Sequence, residues 1–99
     1  MFYHIVWFQW KDDATPFVIF DACAALKAMM GQIPGVLDVR VGKNTTKRTP
    51  HTHALLVVLE SEADLPGYEA HPVHQDVVTN FIVPIKAGIN ALDFTDGVF

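Results

Sequence analysis

The sequence predicts an α+β domain with the element order β-α-β-β-α-β, in which two helices cover one face of a four-stranded antiparallel sheet. Three observations lead to this fold class. Four segments carry the apolar patterns of strands, and two segments between them carry the helical period. Turn residues, rich in Gly, Pro, Asp and Asn, separate these segments. No repeat or linker divides the chain, so residues 1–99 are predicted to form a single domain.

The first strand and the first helix account for residues 2–32. The strand, residues 2–10, is apolar on both faces: Tyr3, Ile5 and Trp7 share one face, and His4, Val6, Phe8 and Trp10 share the other. Residues 12–15 supply turn and cap chemistry, and Pro16 suits the first helical position. The helix is predicted to continue to about Gln32, before Pro34-Gly35. Its inward stripe is predicted to be Ile19, Cys23, Leu26, Met30 and Ile33.

The middle of the chain predicts a hairpin. Residues 36–43 alternate, with Leu37, Val39 and Val41 against Asp38 and Arg40, which is typical of an edge strand. Residues 44–52 are polar and predict the hairpin loop, and the continuously apolar residues 53–60 predict an interior strand. Residues 61–68 predict a short helix or turn broken by Pro66-Gly67. Residues 72 to about 81 predict the second main helix, and residues 89–95 the last strand.

This order is the split βαβ, or ferredoxin-like, arrangement, and it leaves one face of the sheet uncovered. The first and third strands are apolar on both sides, so the uncovered face is more apolar than a soluble monomer usually exposes. We therefore expect a homodimer in which sheet packs on sheet. The alternative is that aromatic residues such as Tyr3 and Trp7 are isolated surface residues.

Composition and charge argue against several classes of function. The formal net charge is −4 and the Lys and Arg residues are scattered, so neither nucleic acid nor an anionic membrane is an expected partner. The single cysteine excludes an internal disulfide, and no apolar run is long enough to span a bilayer. The amino terminus begins a strand and carries no basic segment, so we expect no signal peptide and a cytoplasmic protein.

The segment Tyr68 to His74, Tyr-Glu-Ala-His-Pro-Val-His, is the best candidate for a site. Pro72 suits the first position of a helix, which makes His71 a boundary or cap residue and places His74 in the first turn. The helix dipole disfavours a proton on an imidazole there, so His74 is predicted to be neutral, as a general base requires. The apolar residues at i+3, i+4 and i+7, which predict that His74 faces inward, are Val77, Val78 and Phe81. A structural core histidine is the alternative.

The other histidines allow several interpretations. His4 and His53 lie on strand faces predicted to point toward the helices, at opposite ends of the sheet, either in the site or bonded to backbone carbonyls. His51 with His53, and His71 with His74, have spacings that a metal accepts. No carboxylate near His71 and His74 has the spacing of a third ligand, so no metal site is predicted. Cys23 is predicted to be a buried thiol.

Several segments together resemble the stress-responsive A/B barrel (Dabb) domain family. They are His4-Ile5-Val6, Ile33-Pro34-Gly35-Val36, Val41-Gly42-Lys43-Asn44, His53 before an apolar strand, Tyr68 with His71-Pro72-Val73-His74, and Asp93. The resemblance covers nearly the whole chain, and the Tyr-x-x-His-Pro-x-His segment is its most specific part. It implies a homodimer in which two sheets close into an α+β barrel.

The resemblance implies two kinds of function. Some members are stress-associated or antifungal proteins, whereas the plant member olivetolic acid cyclase is a cofactor-free polyketide cyclase. The histidine and tyrosine of the motif carry that reaction and correspond to His74 and Tyr68, and its strand histidines correspond to His4 and His53. Cys23 and Leu26 stand where the cyclase has bulkier aromatic residues, so the identity of the substrate does not transfer.

The first hypothesis is a cofactor-independent cyclase, lyase or isomerase that acts on a small polyketide-like or aromatic carbonyl compound. His74 would act as general base, and Tyr68 would bind the developing oxyanion. The predicted substrate pocket is lined by His4, Val6, Phe8, Cys23, Leu26, His53, Leu55, His71, Val77, Val78 and Phe81. The alternatives are a non-catalytic dimeric stress-response or binding protein, and a cofactor-free oxygenase, suggested by Trp7 and Trp10. No cofactor is predicted.

Overall fold

A computed structural model describes all residues from Met1 to Phe99, and it has a four-stranded antiparallel sheet with helices on one face. The elements are β1 (Phe2–Trp10), α1 (Pro16–Lys27), β2 (Val36–Lys43), β3 (His53–Leu59), α2 (Leu65–Ala70), α3 (Pro72–Val77) and β4 (Lys86–Thr95). The strand order is β2-β3-β1-β4, and every neighbouring pair is antiparallel. The predicted α+β, ferredoxin-like fold class is confirmed.

The register of the sheet separates the two strand histidines. His4 pairs with Val57, whereas His53 pairs with Phe8, so the two imidazoles start from opposite ends of the two central strands. β2 is an edge strand and β3 an interior strand, as predicted. A bulge between Val36 and Asp38 interrupts the β2 register. Leu37, predicted to share a face with Val39, is 38% exposed for this reason.

The first helix is shorter than predicted and presents a different stripe to the sheet. Thr15 caps it by accepting a hydrogen bond from the Val18 N–H, and the helix ends at Lys27 instead of Gln32. Beyond Lys27 the backbone closes bonds three residues apart, which winds the chain more tightly. Met29 is therefore fully buried, while Met30, predicted to face inward, is 45% exposed.

Ala22 on α1 is also fully buried, whereas Cys23, predicted for the inward stripe, is half-buried. Leu26 and Ile33 occupy the buried positions that the helical period predicts. Because alanine has a small side chain, burial of Ala22 allows the helix to pack closely on the sheet. The predicted stripe is thus correct at Leu26 and Ile33, only half-buried at Ile19 and Cys23, and wrong at Met30.

Two short helices, α2 and α3, meet at His71, and α3 begins at Pro72 as predicted for the second main helix. Pro66-Gly67 was predicted to interrupt the helical segment, but both residues lie within α2. Pro66 occupies the first turn of this helix, where its missing N–H is tolerated. His71 precedes Pro72 and is extended, with φ −63° and ψ 137°, as the steric effect of a following proline favours. After α3, residues Val78–Ile82 form a π-helical turn.

The two faces of the sheet differ sharply in burial. The core lies on the helix side and includes Phe2, Val6, Phe8, Val57 and Leu59. On the opposite face, Tyr3 stacks on Phe94 with ring centroids 5.2 Å apart. There Leu92 and Phe94 are 51% and 43% exposed. No helix in the structure combines the length and apolar character needed to cross a membrane.

Candidate active site

Tyr68 and His74 face each other across the bend between α2 and α3. Tyr68 lies on α2 and His74 in the first turn of α3, and their ring centroids are 4.6 Å apart with the planes inclined by 50°. The extended backbone at His71 turns the second helix relative to the first. One short sequence segment therefore brings a phenol and an imidazole into contact, as the hypothesis of a catalytic pair requires.

The hydrogen bond of His74 determines which ring nitrogen is available as a base. Nδ1 lies 2.8 Å from the carbonyl oxygen of Glu69. Because a carbonyl only accepts, Nδ1 carries the hydrogen and donates it. In the neutral ring Nε2 is then unprotonated, and it makes no hydrogen bond within the chain. Nε2 is the nitrogen that can remove a proton from a bound molecule.

The environment favours the neutral form of His74. Burial lowers the pKa of His74 below 6.5, and the nearby His4 lowers it further, while the Glu69 carbonyl and carboxylate oppose the shift. The direction agrees with the neutral imidazole expected from the sequence. The main cause differs: it is loss of solvation, not the dipole of a helix that is only six residues long.

The hydroxyl of Tyr68 is buried and has no hydrogen-bond partner. Tyr68 itself is completely buried, and burial together with the charge of Glu69 raises the pKa of its phenol. The phenol therefore stays protonated and remains a donor. A buried hydroxyl without a partner costs about 1–3 kcal/mol, which is unusual for a purely structural residue.

His4 completes the cluster from β1, with a carboxylate that the sequence hypothesis did not use. The rings of His4 and Tyr68 meet edge to face, with centroids 5.7 Å apart. Nδ1 of His4 is hydrogen-bonded to Oδ1 of Asp93, which is the register partner of His4 on β4. Asp93 served only as a family landmark in the sequence. The signal that could have indicated this contact is that Asp93 is the single carboxylate of β4 and lies opposite a histidine.

His71 has a structural role, because its side chain caps the start of α3. Its Nδ1 accepts a hydrogen bond of 3.1 Å from the Val73 N–H at the start of α3. This contact is the side-chain cap that the position before Pro72 predicts. The prediction that His71 also lines the substrate pocket has no support from this contact, because the cap orients the ring toward its own helix.

His53 lies apart from the Tyr68 cluster. Its Nδ1 accepts a hydrogen bond of 2.9 Å from the indole N–H of Trp10, so neutral His53 carries its hydrogen on Nε2. Burial, and secondarily the charge of Lys43, lower the pKa of His53. With Cys23, it lines an open groove of about 640 Å³ between α1 and the ends of β2 and β3. Neither Tyr68 nor His74 lines this groove.

Most of the predicted apolar pocket lining is core. Between the His53 groove and the Tyr68 cluster, the buried side chains pack against one another: Val6, Phe8, Leu26, Leu55 and Val77. Val78 is half-buried. Phe81, predicted to face inward with His74, is 38% exposed, because the wider π-helical turn places Ile82 in the core instead.

The two histidine pairs with spacings that a metal accepts, His51 with His53 and His71 with His74, have no third ligand nearby. Within the chain, no three His, Cys, Asp or Glu side chains come close enough to hold one ion. His71 uses Nδ1 for its helix cap, and His74 uses Nδ1 for the Glu69 carbonyl. The geometry therefore gives the histidines hydrogen-bonding roles.

The model of the stress-responsive A/B barrel domain family, Dabb, matches residues 2–96. The chain belongs to this family. A curated stress-response A/B barrel domain-containing protein from Arabidopsis thaliana is 36% identical over 93 residues, which cover 92% of the chain. The domain spans only 35% of the length of that relative.

Solved structures confirm the fold of this Dabb domain. A dimeric ferredoxin-like protein of unknown function from Thermobifida fusca has a TM-score of 0.84 and 25% identity, over 95% of the domain and 89% of that chain. Hydroxynitrile lyase from Passiflora edulis has a TM-score of 0.85 and 19% identity, over 99% of the domain and 95% of that chain. At this identity, the likeness to the lyase shows a shared fold.

Proposed function

We propose that this Dabb domain is a cofactor-independent enzyme of the cyclase, lyase or isomerase type, acting on a small polyketide-like or aromatic carbonyl compound. The observation that carries the proposal is that Tyr68, whose hydroxyl is buried and unpaired, has its ring centroid 4.6 Å from that of His74. The hydroxynitrile lyase with the same fold supports the reaction class, because it is a lyase built on this architecture.

In the proposed reaction Nε2 of neutral His74 removes a proton from the carbon next to a carbonyl group. The electron pair of the broken C–H bond moves to the carbonyl oxygen, and the Tyr68 hydroxyl donates a hydrogen bond to the resulting enolate. A positioned base contributes about 10²–10⁴-fold, and an oxyanion donor about 10²–10³-fold. The protonated imidazole then returns the proton to carbon or to a leaving or newly formed oxygen.

Tyr68 and His74 differ in solvent exposure, and this difference indicates from which side a substrate reaches them. Tyr68 is completely buried, whereas His74 is only half-buried. We therefore expect the substrate to approach from the side of His74, the more exposed member of the pair. The Glu69 carbonyl holds Nδ1 of His74, which leaves Nε2 free to act on the substrate.

The proposal includes a homodimer, as in the related dimeric structure. Its interface is the sheet face opposite the helices, where Leu92 and Phe94 are exposed. We expect Leu92→Lys to produce monomers in sedimentation or light-scattering measurements, because it buries a charge in that interface. Phe17→Lys, at an 82% exposed position on α1, is the matched control and should leave the dimer intact. Dimers of unchanged stability in Leu92→Lys would contradict this interface.

The proton-transfer step can be tested before the natural substrate is known. A panel of aromatic methyl ketones and β-keto esters is incubated with the protein in D₂O, and deuterium at the carbon next to the carbonyl is followed by NMR. We expect protein-dependent exchange that falls about 10²-fold or more in His74→Ala. Asp76→Asn, an exposed neighbour on α3, is the control and should exchange like the wild type.

Two outcomes would contradict the enzyme proposal. Exchange in His74→Ala within a few-fold of the wild type would remove His74 as the base. Binding of panel compounds without any exchange would favour the non-catalytic binding protein. Oxygen uptake with phenolic compounds, measured in parallel, would instead favour the oxygenase alternative.

A further inference from the structure

The His53 groove, the open space of about 640 Å³ between α1 and the ends of β2 and β3, has no part in the proposed reaction. It lies on the helix side of the sheet, so the second copy that we expect on the opposite face leaves it open. Neither Tyr68 nor His74 lines it, and buried core side chains separate it from that pair. The groove is therefore a candidate site for a ligand of its own.

The walls of the His53 groove are largely apolar. Ile19, Phe20 and Ala24 line it from α1, and Val41 lines it from β2. Phe20 is 71% exposed, so its ring is available to a bound molecule. Aromatic rings pack well in offset-stacked or edge-to-face arrangements, which a flat apolar molecule in the groove can adopt with Phe20.

The groove carries positive charge and no negative charge. Lys43, at the end of β2, has no acidic partner within the chain, and no Asp or Glu lines the groove. Lys27 also lines it, but its Nζ donates to the Val39 carbonyl at 2.6 Å. Burial raises the pKa of the Cys23 thiol, so this lining residue stays uncharged. A lysine without a carboxylate partner favours a bound anion.

His53 adds a neutral hydrogen-bond donor next to this charge, because it is the register partner of Lys43. Its Nδ1 accepts from the indole N–H of Trp10 and lies 3.1 Å from the Thr52 hydroxyl oxygen. Neither Trp10 nor Thr52 lines the groove, so the Nε2–H is the group that remains for a ligand. The lowered pKa of His53 keeps the ring in this neutral form.

We infer that the His53 groove binds a small aromatic carboxylate, with the carboxylate between His53 Nε2–H and the Lys43 ammonium and the ring against Phe20. The two oxygens of a carboxylate can accept from both donors at once. Because Lys43 is exposed, its charge contributes modestly, and the apolar walls contribute the rest. The inference adds a ligand site beyond the proposed enzyme function.

The test is an NMR titration of the ¹⁵N-labelled native oligomer with 2-naphthoate, 2-naphthamide and acetate. 2-Naphthoate should bind with a Kd of about 1 mM or below. 2-Naphthamide keeps the ring and lacks the charge, so it should bind about threefold or more weakly. Acetate lacks the ring and should not bind measurably. Saturation with 2-naphthoate should shift the His53 Nε2 resonance and leave Nδ1 unprotonated.

Two pairs of variants test the contacts. Phe20→Ala should raise the Kd for 2-naphthoate about fivefold, because it removes the ring contact. Phe17→Ala is the matched control, since it removes an 82% exposed ring from the same helix outside the groove and should leave the Kd unchanged. Lys43→Gln should raise the Kd about threefold, whereas Lys47→Gln, which removes the same charge outside the groove, should leave it unchanged.

Several results would overturn the inference. They are absence of 2-naphthoate binding, equally tight binding of 2-naphthamide, equal losses in Phe17→Ala and Phe20→Ala, and a His53 Nε2 resonance that does not move at saturation. His74→Ala should bind 2-naphthoate like the wild type, which separates this result from the fate of the enzyme proposal. Loss of binding in folded His74→Ala would place the ligand at the proposed active site and contradict a separate site.

Discussion

Tyr68 and His74 are in ring contact, with centroids 4.6 Å apart, yet only the histidine has a hydrogen-bond partner. The partner of His74 is the Glu69 carbonyl, which belongs to the same short segment as both rings. The arrangement leaves one donor, the Tyr68 hydroxyl, and one acceptor, Nε2 of His74, uncommitted within the chain. A ligand that offers a carbonyl oxygen and an acidic C–H can use both at once.

Tyr68→Phe is expected to stabilise the unliganded protein. The substitution keeps the buried ring and removes a hydroxyl that has no partner, so the free energy of unfolding should rise by about 1 kcal/mol. Urea unfolding followed by circular dichroism measures this change. The same variant should lose proton exchange activity. Destabilisation by Tyr68→Phe would mean that the hydroxyl is bonded in the folded protein and is therefore structural.

His71→Ala is expected to affect stability and leave catalysis intact. The variant removes the cap on the Val73 N–H, which should lower the free energy of unfolding by about 0.5–1 kcal/mol. His74→Ala should instead abolish proton exchange. Comparing both variants by urea unfolding and by deuterium exchange separates these roles. Equal loss of exchange in folded His71→Ala would place that imidazole in the reaction.

The stability of the protein is expected to fall as the pH drops below 6.5. Burial lowers the pKa of both His53 and His74 in the folded state, so the unfolded chain binds protons more readily. Their contribution to stability is complete above pH 6.5 and is lost as the pH falls toward their lowered pKa values. Urea unfolding at several pH values measures the slope, which should be shallower in His53→Gln/His74→Gln. An unchanged slope in that variant would contradict this assignment.

The parts of the fold that depend on local pattern were predictable. The bounds of β1, its two faces, the edge position of β2 and the cap at His71 follow from alternation, hairpin connectivity and proline geometry. The inward faces of the helices were predicted less well. A regular helical period cannot anticipate the tight turns after Lys27 or the π-helical turn that buries Ile82 in place of Phe81.

The contact between the two central residues of the candidate site was predictable, and the surroundings of that pair were not. Tyr68 and His74 belong to one segment, so sequence spacing alone brings them together. The His4–Asp93 contact joins the first and last strands and depends on their register, which no local pattern fixes. The filling of the space between His53 and His74 by core side chains depends on three-dimensional packing. The open groove consequently lies beside Cys23 and His53 and does not reach Tyr68 and His74, as the predicted pocket would.

The most direct test of the account is a double-mutant cycle in the deuterium-exchange assay, with the wild type, Tyr68→Phe, His74→Ala and the double variant. If the phenol and the imidazole act on one bound molecule, each single variant should lose about 10²-fold or more, and the double variant little more than the worse single one. Exchange rates within a few-fold of the wild type in both single variants would contradict the claim that this pair is catalytic.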